Sequence, residues 1–466
     1  MERNLFVIKC TVCSLFCLNR PFALNNYHAP TPLFLVLYFL SLLLHAQSKF
    51  VLPPHSKGKV AFELTSNVII IPVEIEGVEL SFLVDTGVGR TLIFDTHKAK
   101  QLGFEQDNPV YLSGLGDQPS LEAYQVTLPR LNISDFYIDN MTALVLPDNE
   151  FILSKRVGTH IDGIIGYELF AHYPVLIDYV RKIIQIKPQK KYERWRRKEE
   201  RISPLYFHNL KPYVALELPV AGKANLKGMF LLDTGLNDAL WLFSNAYKLE
   251  KHLPVFDDFL GTGINGDVYG LRGKIPHFEF GQVNLKQVKV AYPEEHTYKA
   301  LSLQPQRLGS VGAELMRRYR LIFDYPNNQL LIKTIAKTAD PFYYNLSGIE
   351  LTYEGVRMVR ERLPSVQRHG TSGNDGVEIL LQDRYELSFV PALKITYVRP
   401  NSAAHKAGVK AGDELLEING RKVHLLSFKK VIRLLQKGPD EKIRLTINRE
   451  NQKRKFSFRL SSIFND

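Results

Sequence analysis

The chain has 466 residues, room for about three domains at ~150 residues each, and 45% of them are hydrophobic, ample for real cores. Its formal net charge is +12. The Lys and Arg residues are scattered through patterned strands and one helix, with no basic stripe or aromatic–Gly RNA motif, which argues against nucleic acid as a partner.

The three cysteines, Cys10, Cys13 and Cys17, all lie near the start, with no histidine at metal-ligand spacing beside them. The rest of the chain therefore needs neither disulfide nor thiol chemistry. Residues 33–44 are continuously apolar for 12 positions. That is short of the ~20 residues that cross a bilayer, and it suits the apolar part of an export signal. Ala46-Gln47-Ser48 offers small residues for cleavage. Residues 1–48 are expected to be an export segment, and the protein periplasmic or secreted. Membrane attachment is expected only if that segment is retained.

From Val68 the pattern is that of strands. Val68–Val73 is β-branched and apolar, and Gly77 marks a turn. Phe82-Leu83-Val84 then runs into Asp85-Thr86-Gly87, and Thr91–Phe94 is another short strand. Ser113-Gly114-Leu115-Gly116-Asp117 reads as a Gly-rich hairpin. Asp162-Gly163-Ile164-Ile165-Gly166 leads to a short helix-like piece, and Val175–Tyr179 with Ile183–Ile186 closes the unit.

The same order then repeats. Phe230-Leu231-Leu232-Asp233-Thr234-Gly235 stands 148 positions after its counterpart. The second Gly-rich hairpin spans 261–266, with Gly261, Thr262 and Gly263 at its start. Ser310-Val311-Gly312 matches Ile164-Ile165-Gly166, with Ser310 in an apolar slot, and Leu321–Tyr325 matches Val175–Tyr179. Counted from the Asp of each copy, the glycine falls at +81 and +79, and the later Asp at +93 and +91. The charged run 187–201 between the copies reads as a solvated linker or the end of a hairpin, not as a binding site.

An acid at the end of a buried strand is costly unless it is hydrogen-bonded or shares a proton. Two copies point to sharing, because paired carboxylates cannot both ionise at close range. Asp85 and Asp233 are the candidate catalytic pair. The repeated unit resembles the retropepsin-like aspartic proteases, with both lobes on one chain. That resemblance implies a mainly β, bilobal pepsin/retropepsin-like fold, with lobes at 49–196 and 197–338. It also implies that Thr86 and Thr234 lock the two turns together, and that Gly87 and Gly235 let backbone N–H groups reach the carboxylates. The hairpins, with Gly114, Leu115, Gly116, Gly261, Thr262 and Gly263, are candidate flaps over the substrate. No metal or other cofactor is required, and no homodimer. Val88 and Leu236 stand where pepsin-like enzymes carry a Ser or Thr hydroxyl, so activity is expected at a less acidic pH than pepsin's.

After a boundary near Thr338–Tyr344 the character changes. Pro400-Asn401-Ser402-Ala403-Ala404, Ala407–Asp413 and Glu417-Ile418-Asn419-Gly420 resemble the core of a PDZ domain, an α+β unit over 343–466. Its helix is expected at Ser427–Gln436 with Ser427 as N-cap. The resemblance implies a peptide tail bound between a sheet edge and that helix. Ser347–Leu351 and Leu387–Val390 are the two candidate carboxylate loops, and 357–386 is expected to be a long loop. The combination looks like the bacterial aspartyl proteases that carry a PDZ domain. It implies an aspartic endopeptidase acting on protein or peptide substrates. The alternative is a non-catalytic peptide-binding protein that keeps the protease fold.

Overall fold

The computed structural model describes residues 48–105, 109–146, 152–188, 192–193, 201–219, 224–243, 254–299, 301, 305–362 and 385–464. The three cysteines, the apolar run 33–44 and the polar stretch 370–376 lie outside the described residues.

In the first lobe the strand Val78–Val84 sits inside a nine-stranded sheet. It pairs antiparallel with Val68–Ile75 on one side and parallel with Gly163–Ile165 on the other. Both flanks are apolar because both faces of this strand are covered. The second lobe repeats the arrangement: Leu226–Asp233 lies between Lys211–Leu218, antiparallel, and Arg307–Gly312, parallel. The chain that follows each acid explains the glycine that ends each apolar triplet. A Cβ on Gly166 would lie 2.0 Å from the Val88 carbonyl oxygen, and one on Gly312 would lie 2.2 Å from that of Asp238.

The lobes share a six-stranded antiparallel sheet. Val175–Asp178 pairs with Tyr319–Asp324 in the register Leu176 to Ile322 and Ile177 to Leu321. The matching segments of the two repeats therefore lie side by side. Phe170 packs on Phe323 and Tyr325, and one hydrophobic core runs through both lobes. Two features correct the solvated reading of 187–201. Tyr192 is fully buried against Leu176, Ile322 and Leu331, and Arg201 opens the strand Arg201–Pro204 at the edge of the shared sheet. A lone aromatic in a charged run gives little periodicity to read.

The C-terminal unit has its own core, centred on Ile349, Ile395, Leu415, Val431 and Ile443. Its sheet runs Ile349–Arg362, Tyr385–Val398, Glu414–Ile418, Lys442–Arg449, Gln452–Arg459. The helix Phe428–Leu435 turns Phe428, Val431 and Leu435 inward. Ser427 has extended backbone at the N-cap position, but its hydroxyl caps nothing; only its carbonyl closes the first turn. The expected loop 357–386 starts and finishes as strand, since residues 357–362 pair with 385–390. Leu387–Val390 is thus mid-strand and cannot be a carboxylate loop, whereas Ser347-Gly348 is the turn that enters the edge strand. Alternation there is blurred because Val356, Met358, Leu387 and Phe389 are all exposed.

Candidate active site

Asp85 and Asp233 come together from opposite lobes. Thr86 Oγ1 donates to the Leu232 carbonyl at 2.7 Å and accepts from Thr234 N at 3.1 Å. Thr234 Oγ1 donates to the Val84 carbonyl at 2.9 Å and accepts from Thr86 N at 3.0 Å. Both threonines are buried, so this four-bond lock is shielded from competing water. Each glycine after a threonine makes room for the acid opposite. A Cβ on Gly235 would lie 2.3 Å from Asp85 Oδ2, and one on Gly87 would lie 2.9 Å from Asp233 Cγ.

The two acids are not equivalent. Asp85 Oδ1 accepts one backbone bond, from Gly87 N at 2.7 Å. Asp233 Oδ1 accepts two, from Gly235 N at 3.1 Å and Leu236 N at 2.9 Å. Burial pushes the Asp85 carboxyl well above its ordinary range, and the nearby Asp233 charge pushes it further; the Gly87 N–H and the charge of Lys211 oppose this. The surroundings of Asp85 therefore favour its protonated form.

Each hairpin at the start of a lobe reaches across to the other. Asn67 Nδ2 donates to the Asn237 carbonyl at 2.8 Å, beyond the second Asp-Thr-Gly. Symmetrically, the Asn209 carbonyl packs on Gly89, where a Cβ would come within 2.6 Å. Asn209 and Leu210 both take positive φ, forming a tight two-residue turn that delivers Lys211 to the site.

The Gly-rich hairpins roof the cavity and meet at their tips. Asn265, in the turn of the second hairpin, inserts into the loop of the first. Its N–H donates to the Leu115 carbonyl at 3.0 Å, and its carbonyl accepts from Gln118 N at 2.8 Å. Its side chain accepts from Gly114 N and donates to the Pro119 carbonyl. Gly116 and Gly263 are glycines because backbone meets backbone here: a Cβ on either would lie 2.1 Å from a carbonyl oxygen of the opposite hairpin. Gly261 sits at a bulge, and Thr262 Oγ1 donates to Asp267 at 2.9 Å. Leu115 packs with the second lobe's Trp241 and Leu260, and Ile264 packs with the first lobe's cluster, so the tips exchange partners.

The cleft has a volume of about 1450 Å³ and is lined by both acids. It also takes in Phe428, Lys429 and Ile432 of the C-terminal helix, and Glu350 and Leu351 of the edge strand facing it. The C-terminal unit is tied to the first lobe through Lys429 Nζ, which donates to the Leu64 carbonyl at 2.7 Å, and through the Phe428 ring, which fills the space beside Gly158. It is tied to the second lobe by a buried charge ladder. Asp238 accepts both bonds of Arg272 Nη1 at 2.8 Å, Arg272 Nε meets Asp258 at 2.9 Å, and Arg399 meets Asp258 at 3.5 Å. Burial opposes charge on Asp238, but Arg272 and Lys289 overcome it and hold the carboxyl below its usual range. Burial and the Asp258 charge push Glu350 up to about 7.

Among the described residues no group of three metal-ligating side chains gathers, and no helix is long and apolar enough to cross a membrane. Sequence reasoning missed Asn265 as the link between the hairpins, the charge ladder, and Lys211 and Arg307 beside the acids. Comparing the two repeats position by position would have exposed the last two.

Residues 71–169 match a family described as aspartyl protease, and residues 394–449 match the PDZ domain family. No curated protein matches the chain in sequence. Among solved structures, the aspartic proteinase from Irpex lacteus matches with 11% identity and a TM-score of 0.39, over 61% of this chain and 98% of that one. The two family matches, on a mainly β fold, support a peptidase of the hydrolase class with a C-terminal PDZ domain.

Proposed function

We propose that this chain is an aspartic endopeptidase that hydrolyses peptide bonds with a water activated between Asp85 and Asp233. The observation that carries the reading is the pair itself: two intact acids brought together from opposite lobes, held across the threonine lock in a roofed cavity. In the reaction Asp233 takes a proton from water as the oxygen attacks the carbonyl carbon. Asp85 gives its proton to the carbonyl oxygen, forming a neutral gem-diol. Asp233 then protonates the amide nitrogen, a diol hydroxyl returns its proton to Asp85, and the C–N bond breaks. The charge needed on Asp233 is served by its two N–H donors, and the proton needed on Asp85 by the environment that raises it. The shared cavity supports a recruiting role for the PDZ domain, in which a peptide tail in its groove keeps the rest of the substrate beside the acids.

The test is cleavage of unfolded casein across pH 3–8, with and without a statine inhibitor. Asp85→Asn and Asp233→Asn should each lower the rate by about 10²–10⁴-fold. Activity should fall as pH rises through the raised Asp85 value, because the proton that polarises the carbonyl is then lost. A profile peaking near pH 2, or turnover that survives either substitution, contradicts the mechanism. Peptide binding without turnover at any pH favours the non-catalytic receptor.

A further inference from the structure

The two walls of the cleft come from equivalent strands, and their chemistry is opposite. In the first lobe Leu83 pairs with Ile70 on one side and Ile164 on the other. In the second lobe Leu231 pairs with Tyr213 and Ser310 at the same positions. Two residues before Ile70 stands Val68, and two before Tyr213 stands Lys211. Three residues before Ile164 stands Ile161, and three before Ser310 stands Arg307. The apolar cluster of the first lobe thus becomes a basic pocket in the second.

The pocket is organised around its guanidinium. Arg307 Nη2 donates to Ser310 Oγ at 2.7 Å and Nε to the Gly309 carbonyl at 3.3 Å, with the plane lying 4.9 Å from the Phe243 ring centroid. This accounts for the serine that interrupts the apolar triplet. Lys211, half-buried at the hairpin tip, lines the cavity with Arg307 and Asp233. Neither cation forms a salt bridge among the described residues. A dyad that shares one proton carries one negative charge, against two positive charges here. Among the described residues one charge is left without an acidic partner in a half-buried pocket, an arrangement that favours an incoming anion.

We propose that the wall formed by Lys211, Arg307 and Tyr213 is the subsite for an acidic side chain of the substrate, so that the enzyme cleaves between a Glu or Asp on one flank of the scissile bond and an apolar residue on the other. This rests on the endopeptidase reading. Burial and Arg307 both press Lys211 toward its neutral form, and a bound carboxylate relieves that pressure. The opposite wall, with Val68, Leu83 and Ile164, takes the apolar residue.

The test uses matched fluorogenic peptides carrying Glu or Gln at each flanking position in turn. A parallel pair of statine peptides, Glu or Gln beside the statine, is measured by calorimetric binding. The wild type should prefer Glu at least tenfold in kcat/KM, at one flank only. Lys211→Met should reduce that preference below threefold, and Lys211→Glu should turn it toward Lys. Arg307→Met should do the same, but Arg307 is packed on Phe243, so the Lys211 variants decide if it does not fold. Cleavage with equal rates for Glu and Gln on both flanks overturns the subsite and leaves the endopeptidase standing. Tenfold tighter binding of the Glu statine peptide without any hydrolysis supports the pocket and overturns the endopeptidase.

Discussion

A buried threonine hydroxyl that both gives and takes a hydrogen bond cannot become valine without stranding two backbone groups. Thr86→Val leaves Thr234 N and the Leu232 carbonyl unpaired, and Thr234→Val does the same to Thr86 N and the Val84 carbonyl. Each should cost about 1–3 kcal/mol. The double variant should cost less than the sum, because the two hydroxyls serve one network. Urea titration of the three variants checks both statements. Glu350 gives a pH-dependent contribution of calculable sign. Its carboxyl moves from an ordinary 4.5 to about 7, so between those values the folded protein keeps a proton that the unfolded chain releases. Stability is highest below that window, falls as pH rises through it, and levels off above it. The span corresponds to at most roughly 3 kcal/mol. Glu350→Gln should remove this part of the slope, and unfolding free energies at pH 4.5 and 7.5 for both proteins measure it.

At the scale of elements, the roof depends on one side chain. Asn265 makes four hydrogen bonds to the opposite hairpin, two through its backbone and two through its amide. Asn265→Ala should lower kcat/KM about tenfold, mainly through KM, and speed amide exchange at 112–120 and 261–268. Hydrogen exchange read beside steady-state kinetics tests this. Unchanged exchange would mean that the backbone bonds alone hold the tips. The strands that carry the acids, the turns after them and the glycines at +81 and +79 are legible in the sequence, because each answers to a local rule of burial, turn or close approach. The tip residue is not, since Asn in a Gly-rich turn is ordinary chemistry and only its partner makes it a link. Lys211 and Arg307 hide for a related reason. A lysine at a hairpin end marks nothing by itself, and it gains meaning only beside Val68 of the other copy. The two long strands Ile349–Arg362 and Tyr385–Val398 hide because exposed apolar residues break their alternation.

For the whole molecule, the PDZ domain and the protease lobes form neighbouring walls of one cavity, joined by Lys429 on one side and by the Asp238–Arg272–Asp258–Arg399 ladder on the other. The ladder begins at Asp238, five residues after Asp233, so the contact with the PDZ domain and the second acid share one short segment of chain. Beneath the acids lies the six-stranded sheet to which both lobes contribute. Parting the lobes would tear a continuous ladder of backbone bonds and split a common core, whereas parting the hairpins breaks only a handful of bonds at their tips. The molecule is built as a vice with a fixed base and two light jaws. Whatever enters must pass beneath the jaws as a slender, extended thread, so on the endopeptidase reading a folded protein presents itself for cutting only where it has already come undone.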